Sequence, residues 1–424
     1  MSARFRSILF WSIIAAAFIG PGTVTTAARA GSAYGLGLLW ALLFSILATV
    51  VLQEAAARIT LGAGKPLGEI IGARGQSWNQ FLFGVIVLGC GAYQAGNFLG
   101  AIAGLQLLGD VSRWWLLLLG AVGRAILWTG STTVITRGLA VIVALMGIVF
   151  CWVAFGADTS SVEWFSGMVP RVEEDATLLV IGLIGTTIVP YNLFLASGLS
   201  QGQSLAEMRF GLILAILIGG LITLAILLTG GMVSGAFSFE ALAKVLDTRL
   251  DGKGHLLLGI GLFTAGLSSA ITAPLAAAVT GKSLLGSSKD NWNYKGRYFR
   301  LTWGGVLLAG LLFALTDVKP VPAIIAAQAL NGLILPLVAV FLMKAVNDVR
   351  ILPAAYQNPA WLNILSVLIV GTTIFLGLNN VWAAAAKVSS AVAEVPLNTR
   401  LWINVGASAA LSLWMLWSMR REKQ

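Results

Sequence analysis

A chain of 424 residues in which 58% are hydrophobic and 10% charged, with a mean hydropathy of +0.89, lacks the polar surface of a soluble domain. Its formal charge of +10 comes from 27 Lys and Arg against 17 Asp and Glu. The basic residues are scattered among loops instead of gathered on one face, which argues against nucleic-acid binding. Two cysteines, Cys90 and Cys151, and one histidine, His255, speak against a disulfide framework or a zinc site, and no cofactor is implied.

Apolar stretches long enough to cross a hydrocarbon core of about 30 Å succeed one another along the chain. Twelve spans are expected, at 8–34, 36–58, 80–108, 112–128, 134–155, 177–199, 209–235, 255–281, 299–316, 322–347, 361–380 and 401–419. The fold class is therefore all-α and integral to the membrane, with the lipid bilayer as a partner. Arg4 and Arg6 lead into a stretch that continues too far for a cleaved signal. An even number of spans puts both termini on one side. Setting that side in the cytoplasm gathers most basic residues there, above all the 282–300 loop with Lys282, Lys289, Lys295, Arg297 and Arg300. The acidic 157–175 loop (Asp158, Glu163, Glu173, Glu174, Asp175) then lies outside. The expected location is the cytoplasmic (inner) membrane of a bacterium.

The first span is interrupted. "FIGPGTVTTA", Phe18 to Ala27, holds Gly20, Pro21 and Gly22 and then the hydroxyls of Thr23, Thr25 and Thr26. Proline removes an N–H and clashes with the preceding turn, and glycine weakens a helix. Irregular backbone at membrane depth is tolerated only where protein or a water-filled cavity satisfies it. The sixth span, "LLVIGLIGTTIVPYNLFLASGLS", repeats the feature at Pro190. Aligning the two prolines sets Ile19–Thr23 ("IGPGT") against Ile188–Asn192 ("IVPYN"), and each break opens a group of five spans. Two groups of odd number lie in opposite orientation. The expected organisation is a first inverted repeat over 1–160, a second over 161–350, and two further spans with a cytoplasmic tail over 351–424. Inverted repeats with broken first helices mark one class of secondary transporter, in which exposed carbonyls and N–H groups at the breaks hold the solute.

At these residues the sequence resembles the natural resistance-associated macrophage protein (NRAMP) family of divalent-metal transporters, as a divergent branch. "GPGT" stands where the family has Asp-Pro-Gly-Asn, and Ala30–Glu69 follows its second span. "VPYNLFLAS" (Val189–Ser197) stands for Met-Pro-His-Asn-Leu-Phe-Leu-His-Ser. "GLSSAITAPLA" (Gly266–Ala276) and "AAQALNGLILPL" (Ala326–Leu337) match spans 8 and 10. The resemblance implies a LeuT-type fold and transport by alternating access, not an enzyme. It also implies what has changed. Gly20 replaces the metal-binding Asp, Thr23 the Asn, Thr186 a carbonyl-donating Ala and Val189 the thioether Met. Tyr191 replaces the His, Leu267 a Gln, and Gln94 and Asn97 an acidic pair tied to proton movement.

No carboxylate, imidazole or thioether then remains at either break, and amides do not titrate, so proton-coupled transport of Mn²⁺ or Fe²⁺ is not the expected activity. The substrate-binding residues are expected to be Gly20, Gly22, Thr23, Thr186, Val189, Tyr191, Asn192 and Gln328, with Gln94 and Asn97 lining the pathway or bonding helix to helix. Ser268 and Ser269 are a possible sodium site in company with carbonyls of the first span; metal ligands are unknown. Thr25, Thr26 and Thr187 suit bonds to their own or a neighbouring helix. Glu54 stands four residues before Arg58, the favourable order for an ion pair, and suits a structural pair better than a proton carrier. "GAGKPLG" (Gly62–Gly68) lacks the Walker spacing, and Trp114, Trp115, Trp292 and Trp414 suit interfacial belts. Three functions fit: a carrier of a neutral or zwitterionic solute, uncoupled or sodium-coupled; a divalent-cation carrier (Mn²⁺ or Mg²⁺) using carbonyls and hydroxyls; and a membrane sensor or interaction protein that does not transport.

Overall fold

The structure, a computed structural model, describes residues 19–422 apart from 74, 131–132, 172–173, 201, 287–289, 387–391 and 393. The first half of the first span (8–18), with Arg4, Arg6, Glu173 and Lys289, lies outside the described residues. Among them the regular elements are all helical. In chain order they are α1 (Pro21–Tyr34), α2 (Leu39–Ala63), α3 (Leu67–Gly72), α4 (Gln76–Leu108), α5 (Trp115–Thr129), α6 (Thr133–Ala154), α7 (Ser161–Gly167) and α8 (Thr177–Thr187). There follow α9 (Pro190–Leu199), α10 (Leu205–Gly231), α11 (Phe239–Arg249), α12 (Gly254–Leu285), α13 (Arg297–Leu315), α14 (Pro320–Ala345), α15 (Ala360–Ala386) and α16 (Leu397–Glu422).

Nine described stretches are long and apolar enough to cross a membrane, counting Thr177–Ser197 as one, and Trp115–Thr129 and Gly138–Ala154 are shorter apolar helices. With α1, these correspond one for one to the twelve expected spans. α7 and α11 are short loop helices, each started by a serine whose side chain accepts a first-turn N–H, Ser160 and Ser238.

Several helix pairings are related to one another. Span 1 (α1) packs on span 7 (α10), and span 6 (α8 and α9) on span 2 (α2). Span 3 (α4) packs on span 10 (α14), and span 8 (α12) on span 5 (α6). Shifting each span number by five turns one member of each pair of contacts into the other, and maps the 3–8 and 2–7 contacts onto themselves. That is the signature of two five-helix units related by a pseudo-twofold axis. α15 and α16 pack against each other and against α14, beside these ten.

Small residues let the helices approach. A Cβ at Gly185 of α8 would overlap the Gln328 carbonyl of α14, and one at Gly332 would stand 2.6 Å from the Ile181 carbonyl. A Cβ at Gly100 of α4 would overlap the Pro21 ring, so the first break is seated on α4.

The expected Glu54–Arg58 pair is present. Arg58 Nε donates to both Glu54 carboxylate oxygens at 3.0 Å, and Arg209 at the start of α10 adds a second cation at 2.8 Å. Arg58 is fully buried, and its other nitrogens donate to the Tyr356 carbonyl and to Asn358 Oδ1. Trp114, Trp115 and Trp414 are exposed, as an interfacial belt requires. Trp292 departs from that expectation, because its ring fills the space over Gly281 and meets Phe83 edge-on at 5.8 Å.

Candidate central binding site

Both breaks are made by the backbone as the prolines demand. α1 begins at Pro21, with Gly20 extended (φ −105°, ψ −177°) and no side chain capping the start. The helix opens with a bond from Val24 N–H to the Gly20 carbonyl. On the other side α8 stops at Thr187. Ile188 and Val189 are non-helical (ψ 76° and 124°), and α9 starts at Pro190. Pro190 has no N–H to offer the Thr186 carbonyl, its natural acceptor four residues back.

The two breaks meet. Thr23 Oγ1 and Thr186 Oγ1 share a hydrogen bond of 2.9 Å across 163 residues of sequence. Gln328, on α14, lies over Gly22 so closely that a Cβ there would overlap its carboxamide. At Gly20, an added Cβ would stand 3.1 Å from Ser269 Oγ and 3.3 Å from Tyr93 Oη. Tyr93 meets Tyr191 edge-on, with ring centroids 5.7 Å apart. Gly20, Gly22, Thr23, Thr186, Val189, Tyr191, Asn192 and Gln328 are all buried.

Several polar atoms here have no hydrogen-bond partner among the described residues. Gln328 Oε1, Thr26 Oγ1 and both carboxamide atoms of Asn192 are buried without a hydrogen-bond partner. The Tyr93 and Tyr191 hydroxyls lie beside each other, and Tyr93 beside Ser269, without the geometry of a made hydrogen bond. Each such buried group costs about 1–3 kcal/mol if nothing answers it. Oxygens and amides clustered in this way at two helix breaks form a donor set for a solute or a hydrated ion. Its side chains are neutral. Among the described residues no three His, Cys, Asp or Glu side chains come together to hold a metal ion.

The other sequence candidates separate. Thr25 and Thr187 donate to carbonyls one turn back, at 2.7 and 2.9 Å, as expected. Ser269 reaches the first break, whereas the atoms nearest the missing Gly20 Cβ do not include Ser268. Gln94 donates from Nε2 to the Ala270 carbonyl at 3.1 Å and so bonds α4 to α12, while Asn97, within α4, donates to Gln94 Oε1 at 3.4 Å. Sequence reasoning passed over Tyr93, and also Gln53 and Asn331, which are buried with partnerless amide atoms. The only signal was a polar side chain within an apolar span. A cavity of about 850 Å³ lies elsewhere, between α5 and α13.

The pattern described as natural resistance-associated macrophage protein-like matches residues 12–383. The chain belongs to the natural resistance-associated macrophage protein family. Among NRAMP relatives, a divalent metal cation transporter, MntH, of Bacillus subtilis is 28% identical over 396 residues, covering 86% of this chain and 90% of the relative. One from Xylella fastidiosa is 26% identical over 420 residues, covering 88% and 85%. A manganese transporter from Eremococcus coleocola superposes with a TM-score of 0.75 at 18% identity, over 97% of this chain and 94% of that one. MHP1, a nucleobase-cation-symport-1 family transporter, superposes at 0.53 with 14% identity, over 98% and 95%. The fold is thus the LeuT type of this NRAMP chain, with spans 1 and 6 broken, and the protein is integral to the membrane.

Proposed function

We propose that this NRAMP chain is a secondary transporter that carries a divalent metal cation, of the Mn²⁺ or Mg²⁺ kind, by alternating access through a site between the two breaks. The observation that carries the reading is the cluster of partnerless buried oxygens and amides where spans 1 and 6 are interrupted. It occurs in a family whose named relatives are divalent metal cation transporters. The cation is held by carbonyls near Thr186 and Val189, by the hydroxyls of Thr23, Thr186 and Tyr191, and by the amides of Asn192 and Gln328. Mg²⁺ keeps several waters and takes few direct ligands, which a neutral donor set can provide. The same donors suit a soft transition metal poorly. The loss of metal transport expected from the replaced ligands gains no support from these relatives.

The two halves, 1–160 and 161–350, rock about the site, with 351–424 alongside, and no covalent step is involved. Gln94 and Asn97 lie at the edge of the pathway, and Ser269, nearer the break than Ser268, is the better sodium ligand. Both termini face the cytoplasm of a bacterium, as the basic loops favour.

Uptake into proteoliposomes tests the proposal. Saturable entry of Mn²⁺ or Mg²⁺ is expected, with little dependence on a proton gradient. Absence of both, with folded protein confirmed by size exclusion, overturns it. A second reading, a neutral or zwitterionic solute, is favoured by one observation: both ends of the Asn192 carboxamide are partnerless, as suits a ligand with a donor and an acceptor.

A further inference from the structure

Far from the breaks, α5 and α13 lie side by side and leave an 850 Å³ groove between them. Its floor is bare at Gly304 and Gly305, where an added Cβ would meet nothing within 4 Å, and leucines of α13 line its length. One end is different in kind. Lys295, Arg297 and Arg300 lie towards it with Arg124 one turn further along, and the lining contains no Asp or Glu. Among the described residues none of the four makes an ion pair.

The cations are arranged rather than merely present. The Arg300 guanidinium lies over the Trp128 ring at 4.1 Å, and Trp128 is braced edge-on by Trp303 at 6.4 Å. Stacking holds the guanidinium plane while leaving its N–H fork free for phosphate oxygens. Arg124 stands one turn inside the membrane from Trp128 on the same face of α5, exposed. An unpaired arginine facing lipid is costly at that depth unless an anion meets it.

We propose that this groove binds an anionic phospholipid of the leaflet at the 282–300 end of the bundle. Its headgroup phosphate engages Arg124, Lys295, Arg297 and Arg300, and one acyl chain lies along the glycine floor. The phosphate chemistry alone would suit a free phosphate ester, but the apolar length of the groove has a use only if a chain is attached. Basic pockets between helices at a membrane surface recognise such headgroups.

The test uses native mass spectrometry of the full-length protein in detergent with dioleoyl phosphatidylglycerol, diphosphatidylglycerol, phosphatidylcholine or sn-glycerol 3-phosphate. The anionic lipids are expected to be retained at least tenfold better than phosphatidylcholine, and any one of R124Q, R297Q or R300Q made alone is expected to lower that preference about fivefold. G304L keeps every charge and fills the groove, and it should lower retention of the lipid without unfolding the protein. Equal retention of anionic and zwitterionic lipid overturns the proposal. So does full competition by sn-glycerol 3-phosphate, or lipid retention unchanged in G304L.

Discussion

Two buried polar clusters in this molecule dispose of their hydrogen bonds in opposite ways. At the end of α2 the Glu54 carboxylate is met by Arg58 and Arg209, and Arg58 continues to the Tyr356 carbonyl and Asn358. Asn358 passes the chain on to Asn363, which exchanges hydrogen bonds with Asn347. At the breaks, Asn192, Thr26 and Gln328 Oε1 are also buried and have no hydrogen-bond partner among the described residues. The closed cluster is a joint, fastening α2 to α10 and to the connection before α15. The open one is the proposed binding site, since buried polar groups left unmatched are costly unless something else compensates them.

The largest expected effect comes from opening the closed cluster. Arg58→Met removes the guanidinium that joins Glu54, Tyr356 and Asn358, and should cost about 3–5 kcal/mol, as breaking a buried ion pair does. Thermal unfolding in detergent measures it. The double change Glu54→Met with Arg58→Met should regain much of the loss; a double variant no better than the single would make the site a matter of packing, not charge.

Next comes filling the open cluster. Gly22→Ala must push the Gln328 carboxamide aside, since the added methyl occupies its place. Uptake should fall about tenfold, the equivalent of roughly 1.4 kcal/mol, with little change in melting temperature. If the two residues act together, adding Gln328→Ala should cost less in the Gly22→Ala background than alone. Strict additivity would separate them.

Emptying the open cluster should disturb stability least. Asn192→Ala deletes a buried carboxamide that makes no hydrogen bond, so the folded state should lose less than about 1 kcal/mol. Transport should nonetheless slow severalfold. A melting temperature lowered as far as that of Arg58→Met would erase the contrast between the two clusters.

What the sequence made legible follows the same division. Pro21 and Pro190 announced the breaks because proline's missing N–H is a property of the residue, whatever surrounds it. The Glu54–Arg58 pair was readable for a similar reason, since one helical turn fixes its geometry. Arg209 as a third member, Tyr93 beside Gly20, and the bond from Gln94 to Ala270 were not readable. Each depends on how one helix is rotated and shifted against another, which apolar periodicity leaves open when helices are buried nearly all round. The choice of cargo is hidden likewise: the donors are named by the sequence, but their joint orientation is not.

The smallest effect lies outside both clusters, in the loop helix α11. Burial pushes the Asp247 carboxyl up, but the His255 backbone N–H, its ring and the Gly254 N–H outweigh that, and hold the group below the usual carboxylate range. A carboxyl depressed in the folded state contributes stability above its unfolded pKa and loses that contribution as pH falls through the folded one. Asp247→Asn should therefore speed amide exchange across 239–255 at neutral pH, and the difference from the natural protein should close as both are acidified below the carboxyl's titration. Uptake at neutral pH should be unchanged, because this helix touches neither break. Equal exchange in the two proteins at neutral pH would show that the His255 contacts do not hold the loop, and would leave the joint at Glu54 as the one polar cluster in this comparison that measurably fastens the fold.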